Sequence, residues 1–135
     1  MQWQRNGVVI VDDSSQVDLD VVYDLLKKTY WAKDRSKETI AKTIENSLCF
    51  SVFKNDKQIG FARVVTDFAT FSWIADVIIE PRFRRQGIGK FLMQCVTEHP
   101  AIKSTTQTLR TRDAHGLYEK FNFERSEFMV RLRKE

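Results

Sequence analysis

The sequence predicts a mixed α/β fold, of the α+β kind, with strands leading and one strand–helix–strand crossover behind them. Three observations carry this. Apolar residues make up 42% of 135 residues and charged residues 30%, so one sizeable core is affordable and global disorder is excluded. The apolar period changes from near four before Leu48 to two after it. Downstream, a long apolar strand runs into a strongly amphipathic helix and then a further strand.

The elements follow in order. Val8 to Val11 is a β-branched run and reads as a first strand. Ser15 to Asp18 resembles a capping box, and Val22, Leu25, Leu26 and Tyr30 recur at helical spacing, predicting a helix over Asp18 to Thr29. Ser36 caps a second helix carrying Ile40, Ala41 and Ile44. Leu48 to Phe53 and Gln58 to Thr66 form a hairpin about Asn55-Asp56-Lys57. Phe71 to Ile79 is a third long strand, ended by Pro81, which cannot donate to a ladder. Ile88, Phe91, Leu92, Cys95 and Val96 define a helix to about His99, before Pro100. Thr106 to Thr111 reads as a strand, Ala114 to Phe121 as a short helix, and Phe128 to Leu132 as a last strand. With no linker or repeat in sight, residues 1–135 are expected to form a single domain.

Charge and cysteine usage narrow the function classes. Twenty-two basic against eighteen acidic residues give a net charge of +4, which suits an anionic small ligand and is weak for nucleic-acid binding. Cys49 and Cys95 lie in apolar runs with no metal-ligand spacing, so they read as core residues; neither a disulfide framework nor a metal is expected. Met1 to Gly7 is too polar for a signal peptide, and no run approaches a membrane span, so a cytoplasmic chain without membrane partners is expected.

The chemistry concentrates in Val77 to Gln94. A strand ends at Glu80-Pro81, a turn carries Arg82, Arg84, Arg85 and Lys90, and a helix begins near Gly87. Helix N-termini present unpaired N–H groups and partial positive charge, and Gly87 and Gly89 leave room for an anion to approach the backbone. The spacing is neither that of a P-loop nor that of a dinucleotide fingerprint. The bland reading is a helix start with glycines for turn geometry. The ordered run of strand, proline, arginines, glycines and helix favours a pyrophosphate-sized site.

Arg84-Arg85-Gln86-Gly87-Ile88-Gly89 resembles the (Q/R)-x-x-G-x-(G/A) signature of the GNAT superfamily of N-acetyltransferases. Ala114 to Phe123 is similar to that family's A-x-x-L-Y-x-K-x-G-F segment. The resemblance implies a central mixed, mostly antiparallel sheet of six to seven strands with about four helices. It implies acetyl-CoA as cosubstrate, with the pyrophosphate on the amides from Arg85 to Lys90, Arg84 in the same turn, and the pantetheine arm along the strand at Ile78 and Ile79. It implies a splayed gap between that strand and the one near Leu109. Tyr118 occupies the position of the acid that protonates the leaving thiolate. Thr111 stands where many relatives carry a pantetheine-binding Asn, and Asn122 where they carry Gly.

The reaction so implied is transfer of acetyl to a primary amine by direct attack in a ternary complex. At pH 7 only roughly one lysine-like amine in a few thousand is neutral, so a proton must leave. Asp76 interrupts the apolar run Ile74 to Ile79 and is the leading base candidate; the alternative is a strand aspartate in solvent or bonded to an arginine. Asp67, Glu80 and His115 are further candidates, and His99 reads as a helix-end residue. Trp31, Phe68, Phe71 and Trp73 could line an acceptor pocket or simply pack. The acceptor, a small molecule or a peptide amine, is left open, and a homodimer is compatible with the sequence. The competing readings are a non-catalytic acyl-CoA sensor on the same fold and a macromolecule-binding surface at the basic turn.

Overall fold

The structure is a computed structural model, and it describes residues 1–133. Six strands form one sheet in the order β1-β2-β3-β4-β5-β6, and four α-helices accompany it. The first five strands pair antiparallel with their neighbours; β5 and β6 are parallel.

β1 (Gln2–Arg5) was not expected from the sequence. It pairs with β2 (Val8–Val11) across Asn6 and Gly7, whose φ values of 50° and 80° give the left-handed turn that matches strand twist. Only Trp3 of its four side chains is apolar, so apolar periodicity missed it; the Asn-Gly pair was the available signal. α1 (Leu19–Lys27) is shorter than expected. Asp18, not Ser15, is its cap, accepting from the Val21 amide at 3.3 Å. α2 (Lys37–Glu45) begins at the Ser36 cap, as expected.

β3 (Leu48–Lys54) and β4 (Lys57–Thr66) form the expected hairpin, with Asn55 and Asp56 both at positive φ. β5 (Phe71–Ile79) follows a turn organised by Asp67, which accepts from the Ala69, Thr70 and Phe71 amides. A 3-10 turn at Pro81–Phe83 leads to α3 (Ile88–Thr97), and α3 crosses over to β6 (Thr106–Leu109). α4 (His115–Glu119) ends in Asn122 at φ 69°, the left-handed residue expected there. The strand expected over Phe128 to Leu132 does not form. Phe128, Met129, Val130 and Leu132 stay exposed. Alternation alone makes no strand; it needs an adjacent ladder and a face to bury.

The two faces of the sheet pack differently. One buries Phe50, Val52, Ala62, Val64 and Ile74 under the α3 residues Phe91, Leu92, Met93, Cys95 and Val96. The other buries Cys49, Phe61 and Ile78 under α1 and α2, through Val22, Leu25, Leu26 and Ile40. Both cysteines are free, buried core residues, and burial pushes each thiol up to about 11. No described helix is long and apolar enough to cross a membrane.

Two irregularities of β5 position everything that follows. Phe61 pairs with Ile78 but Arg63 pairs with Ala75, so Asp76 and Val77 together oppose Ala62 alone. This is a β-bulge, and Asp76 sits in it at φ 52°. In an unbroken strand Asp76 would share the face of Ile74, inside the α3 core. The bulge turns it to the opposite face, beside Arg63. Second, β6 accompanies β5 only from Phe71 to Ile74. Past Ile74, β5 has no neighbour on that side, and the sheet opens there.

Candidate active site

The donor side is built by the chain that leaves β5. Arg84 Nε donates to the Ile79 carbonyl at 3.1 Å, folding the turn back on the strand end. Arg84 thus braces the turn. Arg85 at φ 65° and Gly87 at φ 79° are left-handed, and Gly87 is the N-cap of α3. Alternating handedness aims successive amides to one side. Among the described residues, the amides of 85–90 find no hydrogen-bond acceptor; the first helical bond is Phe91 N–H to Gly87 O at 3.1 Å. A Cβ built on Gly87 or Gly89 would meet nothing within 4 Å, so the space before these amides is open. The residues present therefore suit a diphosphate: six consecutive donors, flanked by Arg85 and Lys90.

Across the sheet opening lies the second motif. Tyr118 is half-buried on the α3-side core, with Phe123 edge-on at 6.1 Å. Its hydroxyl has no hydrogen-bond partner among the described residues, and it is not sealed from solvent. Burial, then the charges of Asp113 and Tyr30, hold its pKa above the ordinary phenol value. Tyr118 is therefore a protonated phenol at neutral pH, able to donate. Thr111 Oγ accepts from the Ala114 amide at 3.0 Å, so this hydroxyl caps the turn into α4 and keeps only its own proton to offer. His115, Trp73 and Thr111 line the same groove along β6.

The third part is a charge cluster that no sequence spacing announced. Asp76 is buried, with a side chain only 2% exposed. Its Oδ2 accepts from Arg63 Nε at 2.6 Å and from Arg35 Nη1 at 2.8 Å. Its Oδ1 accepts from the Trp31 indole at 2.9 Å. Both carboxylate oxygens are thus engaged by protein donors. The general-base expectation for Asp76 does not fit this geometry, because the carboxylate is buried behind these three donors and offers a substrate amine no open approach. The arginine-bonded alternative is what the fold builds. Arg63 was legible only as a strand residue, and Arg35 only as a helix-flanking one; neither had a motif.

Two of the other base candidates, Asp67 and Glu80, are engaged locally, whereas His115 lines the groove. Asp67 is held well below the usual carboxylate range by the Thr70 hydroxyl and three backbone amides, which makes it a turn residue. Glu80 pairs with Arg82 at 2.7 Å. His99 accepts from the Ala101 amide on Nδ1, so its Nε2 carries the proton toward Asp12 at 2.7 Å; it closes the end of α3, as expected. Of the aromatic residues, Trp31 meets Tyr30 edge-on at 5.1 Å, and Arg112 lies 3.7 Å over the Tyr30 ring. Trp73 meets Phe128 at 6.0 Å.

Comparison with known proteins agrees with this architecture. The family profile of the acetyltransferase (GNAT) domain matches residues 45–125. A protein from Xanthomonas campestris assigned to the GNAT family of acetyltransferases is 34% identical, with 96% of each chain covered and a TM-score of 0.90. A GNAT-family acetyltransferase of Elizabethkingia anophelis, solved with acetyl-CoA bound, shares the fold at 21% identity and a TM-score of 0.71, over 91% of this chain and 80% of that one. An N-acetyltransferase of Porphyra purpurea called ycf52 is 28% identical over 85% of this chain and 70% of its own length. An assigned acetyltransferase of Gibberella zeae is 22% identical over 71% of this chain, which spans 66% of that protein. The matched profile covers both motifs and the sheet opening between them, and the chain belongs to the GNAT acetyltransferase family.

Proposed function

We propose that this chain moves the acetyl group of acetyl-CoA to a primary amine, by direct attack of the amine within a ternary complex. The observation that carries the proposal is the run of amides at 85–90 without acceptors, facing open space at Gly87 and Gly89. Such donors, aligned at a helix N-terminus and open to an approaching anion, are suited to a diphosphate. In this proposal they hold the pyrophosphate, with Arg85, Gln86, Ile88 and Lys90 forming the wall. The free side of β5 at Ile78 and Ile79 offers backbone groups to the pantetheine arm, and Thr111 lies across the opening.

The amine attacks the thioester carbonyl, the tetrahedral intermediate collapses, and the carbon–sulfur bond breaks. Tyr118 gives its proton to the leaving thiolate, and the amine's proton passes to water. No described carboxylate is assigned that proton, since Asp76 and Asp67 are both engaged. A non-catalytic acyl-CoA sensor shares the donor site and differs only in turnover.

Titration calorimetry with acetyl-CoA and thiol release across an amine library separate these readings. Binding with amine-dependent thiol release is the expected outcome. Binding without release above the hydrolysis background for any amine leaves the sensor. No binding removes both.

A further inference from the structure

The Asp76 cluster carries more positive charge than it neutralises. Two guanidiniums converge on one carboxylate, and each arginine side chain is only 13% exposed. Among the described residues neither arginine pairs with a second carboxylate. Arg63 Nη1 also donates to the neutral Ser47 hydroxyl at 3.3 Å. Cys49 feels both Arg63 and Asp76, yet burial outweighs the arginine and pushes its thiol up to about 11, so it stays uncharged. The cluster therefore keeps one net positive charge that only partly reaches solvent, a position suited to an anionic ligand.

Its unused donors point the same way. A guanidinium has five N–H groups in a planar fork. Arg35 gives one bond to Asp76, and Arg63 gives one to Asp76 and one to Ser47. The remaining N–H groups have no partner among the described residues. Nor are they sealed away, because the fully shielded, unpartnered side-chain atom among those residues is Ser51 Oγ. They are held rigid on one side by Asp76 and reach solvent on the other.

The cluster also adjoins the proposed chemistry. Trp31 bonds Asp76 and packs on Tyr30. Tyr30 lies near enough to Tyr118 for its charge to bear on the Tyr118 phenol. Asp76, Trp31 and Tyr30 thus form a chain of contacts from the arginine pair to a ring within electrostatic range of the group assigned to the departing thiol. Resting on the acetyl-transfer reading, we propose that the acceptor is a small amine that also carries a carboxylate, as an amino acid does, and that Arg35 and Arg63 receive that carboxylate. Planar guanidinium edges match a carboxylate's two oxygens. A polyamine would meet like charge in the same place.

The test compares each amino acid with its own carboxamide, and both with spermidine, by thiol release from acetyl-CoA. The carboxamide's amine is less basic, so simple reactivity favours the amide; a preference for the acid reports binding. We expect kcat/KM for the acid to exceed that for the amide by about tenfold to a hundredfold. Arg35→Gln should raise KM for the acid by a similar factor and leave the amide's KM nearly unchanged. Arg35→Lys, which keeps the charge and the fold, should fall between. Equal or better use of amides or spermidine overturns the carboxylate proposal while acetyl transfer stands. If acetyl-CoA binds but nothing turns over, the same acids are titrated into the protein with and without CoA. Acid binding that Arg35→Gln abolishes sustains the carboxylate site, and absence of acid binding overturns it.

Discussion

The donor turn follows the end of β5 and the arginine cluster gathers at its bulge, yet they are made in opposite ways. The turn at 84–90 is a local object. Its seven residues, two left-handed φ values and six unpaired amides come from one stretch of chain. The cluster is a long-range object. Trp31, Arg35, Arg63 and Asp76 arrive from the α1–α2 connection, β4 and the β5 bulge, and separations of 45, 41 and 13 residues divide Asp76 from its three partners. The turn holds a ligand by offering backbone donors to it; the cluster must first satisfy itself before anything is left over. Damage to the first should cost binding alone, and damage to the second should cost stability.

The largest expected effect lies in the cluster. Asp76→Ala leaves two poorly exposed guanidiniums without their counter-ion and should destabilise the fold by about 3–5 kcal/mol. Denaturant unfolding measures it; a loss under about 1 kcal/mol, typical of exposed pairs, would mean that the cluster behaves as a solvated one. In the turn, Gly89→Trp fills open space and should leave the melting temperature unchanged. Acetyl-CoA affinity should nevertheless fall on the order of a hundredfold, about 2.7 kcal/mol. Unaltered affinity would remove the donor site from this position.

Tyr118→Phe tests the link between the two regions. General acid catalysis contributes on the order of a hundredfold or more, so kcat should drop by about that factor with KM for acetyl-CoA little changed. The folded phenol's pKa is raised, so its proton stays on through neutral pH and is lost only on the alkaline side. Wild-type kcat should decline there, on the alkaline side of the ordinary phenol value, and the variant should lack that decline. By the same sign, the stability that Tyr118's protonation contributes is complete below the unfolded phenol value and is lost as pH rises past it. The smallest effect tests the β5 scaffold itself. A Cβ on Gly60 would lie 2.7 Å from Ile79 Cδ1 and 3.0 Å from the Ile78 carbonyl oxygen. Gly60→Ala should cost about 1–3 kcal/mol, measured by thermal unfolding, and should weaken acetyl-CoA binding if it displaces β5.

The contrast between the two regions also explains what could be read before the fold was known. Periodicity found β3, β4, β5 and α3, because each buries a face and its apolar spacing must follow the element's own period. It overlooked β1, which carries the single apolar residue Trp3, and it supplied a strand at 128–132 that has no ladder to join. The Arg84 to Gly89 and Ala114 to Phe123 segments were legible because their function depends on neighbours in sequence. Asp76 was singled out as an anomaly in an apolar run, and rightly so, but its chemical use was not readable.

By itself, then, the sequence determined the mixed sheet, the crossover helix, the amide-rich turn and the acetyltransferase family. These rest on local backbone preferences and on one-dimensional hydrophobic spacing. Only the tertiary structure decided which face Asp76 takes, because one bulge residue reverses the alternation of everything after it. It also decided that Asp76 meets Arg35 and Arg63. Pairing of buried charges is settled by which strands and loops are neighbours in space, and no spacing along the chain records that.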